Sequence, residues 1–300
     1  MRYTILHKTT YNYDYEATES YSQVRISPLE TLCQSIHSHS IEVHPDVPIY
    51  SHRDYFGNLV HEFSVPFRHN FLEVVAKSDI TNYAPSREPM NSKITVKQAR
   101  EWFNKYELEF YDFTNPSRFV PITDTVKKFA ALFLTPERKL IDAVTELNSC
   151  FTSIFKYKSG TTNINTPIDE VIHTKMGVCQ DFAHTMIATL RSCGIAARYV
   201  SGYIESYNPE ANVEMVGSEQ SHAWLDVYVP EFSWFGIDPT NNMLTSEQHT
   251  RVAIGRDFDD VSPVRGTFKG SGKQTLKVDV KMRRVKIDES TQNKLQDSSK

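Results

Sequence analysis

Met176-Gly177-Val178-Cys179-Gln180-Asp181-Phe182-Ala183-His184 sets a cysteine just after a glycine, at the head of a run with helical apolar spacing. Phe182, Met186, Leu190 and Cys193 continue that spacing and Gly194 ends it, so the stretch predicts a helix from about Val178 to Cys193. A thiol at a helix N-terminus sits where the thiolate is favoured. Gly177 would permit the tight turn that exposes it. The same residues also suit a buried stripe that merely begins with cysteine, and position alone does not choose between the two.

Two later segments bear on that choice. His222-Ala223-Trp224-Leu225-Asp226-Val227-Tyr228-Val229 alternates as a strand, with Ala223, Leu225, Val227 and Val229 on one face and His222 on the other. Asp238 follows the short run Trp234 to Ile237 and precedes Pro239, which keeps it extended. A thiol, an imidazole to take its proton and a carboxylate to orient the imidazole form a nucleophilic set when they come together from element edges. Cys179, His222 and Asp238 are therefore the candidate catalytic residues.

Around this centre the chain changes period. The first eighty-odd residues alternate as short strands: Tyr3 to His7, Tyr11 to Tyr15, Tyr21 to Ile26, Ser40 to His44, two strand ends about Gly57-Asn58, and Phe71 to Ala76. They predict a small antiparallel sandwich over residues 1–84. Pro85 to Met90 has the composition of a linker. Helical spacing then begins at Val96, recurs from Thr123 to Leu134, and recurs again from Thr135-Pro136-Glu137, where threonine caps and proline takes the first helical position. Residues 92–287 are assigned to a catalytic domain that ends in further β-strands, and 288–300 to a disordered tail.

Composition excludes several classes of function. Hydrophobic content of 39% supports real cores, and a net charge of −4 gives no general attraction to nucleic acid or anionic membranes. The end of the chain from Arg265 is basic, with ten Lys/Arg against four Asp/Glu, the pattern of a solvated edge strand and tail. No apolar leader opens the sequence and no apolar run approaches about 18 residues, so neither export nor a membrane span is expected. Four scattered cysteines without a CxxC pair point to a reducing cytoplasm, not to disulfides or zinc. Asp181 and His184 do not share a helix face with Cys179, so no metal or other cofactor is expected.

Gly177 to Ala183, Cys193 to Tyr203, His222-Ala223-Trp224 and Asp238-Pro239-Thr240 together resemble the core of the bacterial transglutaminase-like superfamily, a group of transglutaminase-like enzymes and cysteine proteases. Gly255 to Gly266 is similar to the signature closing its bacterial subgroup, and Asp54-Tyr55-Phe56-Gly57-Asn58 to that subgroup's N-terminal domain. The resemblance covers nearly everything but the last dozen residues. It implies a papain-like α+β fold, with a catalytic helix packed on an antiparallel sheet, and a triad of Cys179, His222 and Asp238. The Cys179 backbone N–H is the expected oxyanion donor, and the second donor stays unassigned.

The expected activity is attack on an amide carbonyl of a protein or peptide through a thioester acyl-enzyme. Water as acceptor makes a peptidase or, on glutamine, a deamidase; an amine makes a transglutaminase. Hydrolysis is favoured because no calcium-loop motif is present. The opposing class is a peptide- or glycan-binding protein on a degenerate papain-like fold; an arylamine acyltransferase is disfavoured by its surrounding motifs. Arg256 to Asp260 is read as an ion-paired brace in preference to a substrate edge, and Trp224, Tyr203 and Trp234 as walls of either cleft or core.

Overall fold

The computed structural model describes residues 1–84, 89–208, 213–217 and 221–285. Six strands come first: β1 (Arg2–Ala17), β2 (Glu19–Val24), β3 (Gln34–His44), β4 (Tyr50–Arg53), β5 (Leu59–Val65) and β6 (His69–Asn82). Helices α1 (Val96–Lys105), α2 (Glu107–Thr114), α3 (Asp124–Ala130) and α4 (Leu140–Ser153) follow, then β7 (Lys156–Tyr157), α5 (Ile168–Thr174), β8 (Met176–Gly177) and α6 (Cys179–Ser192). The chain continues through β9 (Ala197–Ile204), β10 (Tyr207–Asn208), β11 (Val213–Glu214), β12 (His222–Val229), β13 (Ser233–Asp238), β14 (Met243–Leu244) and β15 (His249–Gly255). It closes with α7 (Phe258–Val261), β16 (Val264–Lys269) and β17 (Gln274–Arg284).

The N-terminal strands form two four-stranded sheets, ordered β17-β1-β6-β3 and β16-β2-β5-β4. Val24, Phe63 and Val65 from one sheet meet Val43, Leu72, Val74 and Ala76 from the other in a single apolar cluster, which makes the pair a sandwich. Alternation in β1 buries Tyr3, Ile5, His7 and Thr9 and turns Arg2 and Thr4 outward. The two runs read from sequence are one continuous strand.

Residues 264–284, expected within the catalytic domain, instead join the N-terminal sheets: β16 pairs with β2 over six residues and β17 with β1 over eleven, both antiparallel. They complete the N-terminal sheets, because β1 and β2 would otherwise present bare backbone edges. The chain thus leaves the sandwich once and returns to finish it. Residues 85–88 of the expected linker and the expected 288–300 tail lie outside the described residues; Pro89–Asn91 forms a 3-10 turn.

The core domain is a five-stranded antiparallel sheet, β14-β13-β12-β9-β15, with α6 against β12 and β9. Every residue of α6 from Asp181 to Arg191 is buried, so this helix is surrounded and not merely docked. Arg191 is satisfied inside by the carbonyls of Ala197, Asn115 and Arg256. Thr95 caps α1 with a reciprocal bond to Gln98. α4 starts at Leu140, later than Thr135-Pro136 predicts. The reason is that the Pro136 and Arg138 carbonyls accept from Lys97 and Val96 at the head of α1, so this turn is spent capping a neighbouring helix.

The sandwich is fastened to the core along the outer edge of β15. Asn58 Nδ2 donates to the Ile254 carbonyl at 2.8 Å while its Oδ1 accepts the Ile254 N–H at 2.8 Å. Gln34 does the same at Arg251, donating to its carbonyl and accepting from its N–H, both at 2.8 Å. Asn82 donates to Glu247 and Thr250. Side-chain amides here imitate the missing neighbour strand.

Candidate active site

Cys179 is the first residue of α6, and Val178, extended, precedes it as the cap. Asp181 fixes this end: its Oδ2 accepts from the Val178 N–H at 2.8 Å and the Thr162 hydroxyl at 2.6 Å. Burial pushes the Asp181 carboxyl up, and those two bonds pull it back. Gly177 proves to be needed for close approach. A Cβ there would lie 2.8 Å from Asp181 Cβ, so any side chain would displace the capping carboxylate. Cys179 is half-buried and faces a cleft of about 990 Å³ that Gln180, Met215 and Gly217 also line.

His222 opens β12 and Asp238 ends β13. Both are fully buried, and His222 Nε2 lies 2.8 Å from Asp238 Oδ2. An ionised carboxylate only accepts, so Nε2 carries the hydrogen, and in the neutral ring Nδ1 is the free base. Nδ1 is buried and makes no hydrogen bond of ordinary geometry. Burial alone would lower the His222 pKa. The charge and hydrogen bond of Asp238, joined by those of Cys179, outweigh it and raise the value to about 10. The three candidate residues thus meet at one end of α6.

Asp238 is held by more than His222. Oδ1 accepts the N–H groups of Thr240 at 2.9 Å and Asn241 at 3.2 Å, and Oδ2 accepts Asn241 Nδ2 at 2.7 Å and His249 Nε2 at 3.3 Å. Burial would raise this carboxyl, but His222 and its other donors hold it far below the usual range. His249 Nδ1 accepts the Ser246 N–H, which leaves its Nε2–H to donate to Asp238, and burial pushes its own pKa down. Asn241 has a second task, accepting the Val216 N–H at 2.9 Å and donating to the Val216 carbonyl at 3.3 Å. The next residue, Gly217, has φ +89°, and a Cβ there would lie 2.7 Å from His222 Nδ1.

Neither Asn241 nor His249 emerged from the sequence. Asn241 shows only as a turn residue after Asp238-Pro239-Thr240, and His249 only as the start of an alternating run. Other expectations find their places. Arg256 pairs with Asp260 through Nε and Nη2 at 2.9 and 3.0 Å, the brace arrangement. Trp224 and Tyr203 are fully buried, and Trp234 carries Arg198 over its ring at 4.3 Å, so these aromatics belong to packing. Both faces of β12 are covered, not one: Asp226 lies between Arg198 and Arg251, at 2.9 and 2.5 Å. His184 is stacked by Phe119 and accepts the Phe258 N–H, and Asp181 caps α6, so neither turns toward Cys179 as a ligand.

The fold and these three positions define a papain-like α+β protein with a cysteine at the head of its central helix. Residues 127–239 match the transglutaminase-like superfamily, and residues 3–81 match the bacterial transglutaminase-like N-terminal region. The chain belongs to the transglutaminase-like superfamily. It is 35% identical over 276 residues to an uncharacterized protein of Mycobacterium tuberculosis (strain ATCC 25618 / H37Rv), covering 88% of this chain and 87% of that protein. A 105-residue stretch is 34% identical to a protein-glutamine gamma-glutamyltransferase of Pseudomonas aeruginosa, covering 32% of this chain and 16% of that protein. Among solved structures, a "putative cysteine protease" from Cytophaga hutchinsonii superposes with a TM-score of 0.78 at 22% identity, covering 96% of this chain and 92% of that one, a likeness of fold. Family and fold together support a cysteine-type enzyme.

Proposed function

We propose that the protein is a cysteine-dependent amide hydrolase acting on protein or peptide substrates in the cytoplasm. The observation that carries this reading is the His222–Asp238 bond, which leaves Nδ1 free beside Cys179 at the head of α6. In the resting site the thiol proton already sits on His222 Nδ1, making a thiolate–imidazolium pair, and the thiolate sulfur attacks the amide carbonyl carbon. The oxyanion meets the Cys179 backbone N–H, one of the helix's unpaired first donors. The leaving amine departs with the proton held on Nδ1, and a thioester remains. Water then attacks the thioester, giving its proton to Nδ1, and the carboxylic acid leaves as the thiol is regenerated. No step calls for a metal or organic cofactor.

A second reading, transfer of a glutamine acyl group to an amine, draws on the Pseudomonas aeruginosa relative, whose matched segment lies in a protein-glutamine gamma-glutamyltransferase. Both readings share the thioester and differ only in acceptor. Intact-mass spectrometry of a glutamine-rich protein with a primary amine, using wild type and Cys179→Ala side by side, separates them. Fragments signal proteolysis, a gain of about one dalton per site deamidation, and addition of the amine with loss of ammonia transfer. Any of these seen equally with Cys179→Ala sinks the cysteine mechanism.

A further inference from the structure

The inner face of the β1–β17 pair changes character along its length. At one end Tyr3, Ile5 and Val280 pack with Tyr203 and Val252 of the core domain. At the other, Tyr13 joins the sandwich interior, with Phe268 against it. Between these anchors, Thr9 and Tyr11 of β1 stand opposite Val278 and Leu276 of β17. This middle stretch borders the same cleft as Cys179. Tyr11 and Val278 pack in part against the two flanking clusters, but Leu276 is left 53% exposed while Val280, on the same face, is 6% exposed.

The polar groups beneath are already satisfied. His7 Nδ1 lies 2.8 Å from the Tyr203 hydroxyl and Nε2 2.9 Å from Thr9 Oγ1, so His7 and Thr9 form a closed, neutral floor. Among the described residues lining the cleft, only Glu214 carries a full charge. An anionic side chain entering along this wall would lose water without gaining a counter-ion, because no Lys or Arg stands among the described lining residues, whereas an apolar one would cover Leu276 and Val278.

We propose that the β1–β17 strand pair is a substrate subsite, taking an uncharged apolar side chain next to the amide that Cys179 attacks. The proposal rests on the cysteine-nucleophile reading and gives the sandwich a part in specificity.

The full chain is treated separately with iodoacetamide and with two otherwise identical tripeptidyl chloromethyl ketones, one presenting leucine next to the reactive carbonyl and one aspartate. Alkylation at Cys179 is followed by peptide mapping. Wild type is expected to prefer the leucyl reagent by at least about ten-fold, and Leu276→Asp to abolish that preference while the iodoacetamide rate stays within about two-fold. Leu276→Met retains the preference, and thermal unfolding checks that the half-exposed substitution leaves the fold intact. An unchanged preference in Leu276→Asp overturns the subsite and leaves the nucleophile standing. Iodoacetamide labelling of Cys179 no faster than Cys33 removes both.

Discussion

A buried carboxylate is costly to ionise, and Asp238 offsets that with donors from His222, His249, Asn241 and two backbone N–H groups. Its charge is then felt mainly by His222. The His222 pKa is raised from the usual range near 6.5 to about 10, so the imidazolium persists through neutral pH and is lost as pH rises through about 10. Turnover on the alkaline side is therefore expected to hold to about pH 10 in wild type. In Asp238→Asn that limit should move down toward about 6.5, as a pH–rate profile would record. Gly217→Ala should lower turnover by about 100-fold or more, because its Cβ would fall on the His222 nitrogen that carries the proton, and the left-handed φ should also cost about 1 kcal/mol of stability. Activity kept in Gly217→Ala would mean that Nδ1 is not the base. At this scale Cys179, His222 and Asp238 were legible because each sits where an element begins or ends. Asn241 and His249 were not, since their roles exist only once separate strands converge. Gly177 reads in the sequence as permitting a tight turn; its close approach to Asp181, which excludes a side chain, shows only in the structure.

Elements were read best where the helical period was clear, as at the start at Val96, in the run from Thr123 and along the α6 stripe; the caps by Thr95 and Thr123 show only in the structure. α5 has an acidic first turn after Pro167 but only seven residues, too few for a periodic signal to stand out. The Thr135-Pro136 start failed because its carbonyls serve α1, a use that no local pattern reveals. The segment Asp54 to Asn58, which resembles the N-terminal domain of the bacterial subgroup, is a turn that fastens the two domains. Asp54 accepts the Phe56 and Asn58 N–H groups, which aims Asn58 at both backbone groups of Ile254. Asn58→Ala leaves that donor and acceptor unpaired and is expected to destabilise the fold by about 1–3 kcal/mol in denaturant titration. A change within experimental error would show that the amide contact does not fasten the two domains.

For the whole molecule, fold class was legible from the switch between period two and helical spacing, whereas the return of the chain to its first sheets was not. Strand partners distant in sequence leave no trace in local pattern. Deleting residues 264–300 removes the strands paired with β1 and β2, so the truncated chain is expected to lose cooperative unfolding; a normal transition would contradict the pairing. Acid stability follows from burial. His7, His39 and His184 are each pushed down to about 4, chiefly by desolvation. The unfolded chain takes up protons near pH 6.5 at these three sites that the folded one refuses, so their contribution to stability is complete above about 6.5 and falls as pH drops toward 4, as melting temperatures across that range would show. His222, raised to about 10, acts in the opposite sense and loses its contribution as pH rises from about 6.5 toward 10. The central claim concerns one thiol among four in the same molecule. Iodoacetamide labelling of the intact chain, with Cys33, Cys150, Cys179 and Cys193 followed separately, tests it most directly. Cys179 is predicted to label ahead of Cys33, which is also half-buried, and His222→Ala to bring it down to the Cys33 rate. Equal rates in wild type, or no effect of His222→Ala, would contradict the account.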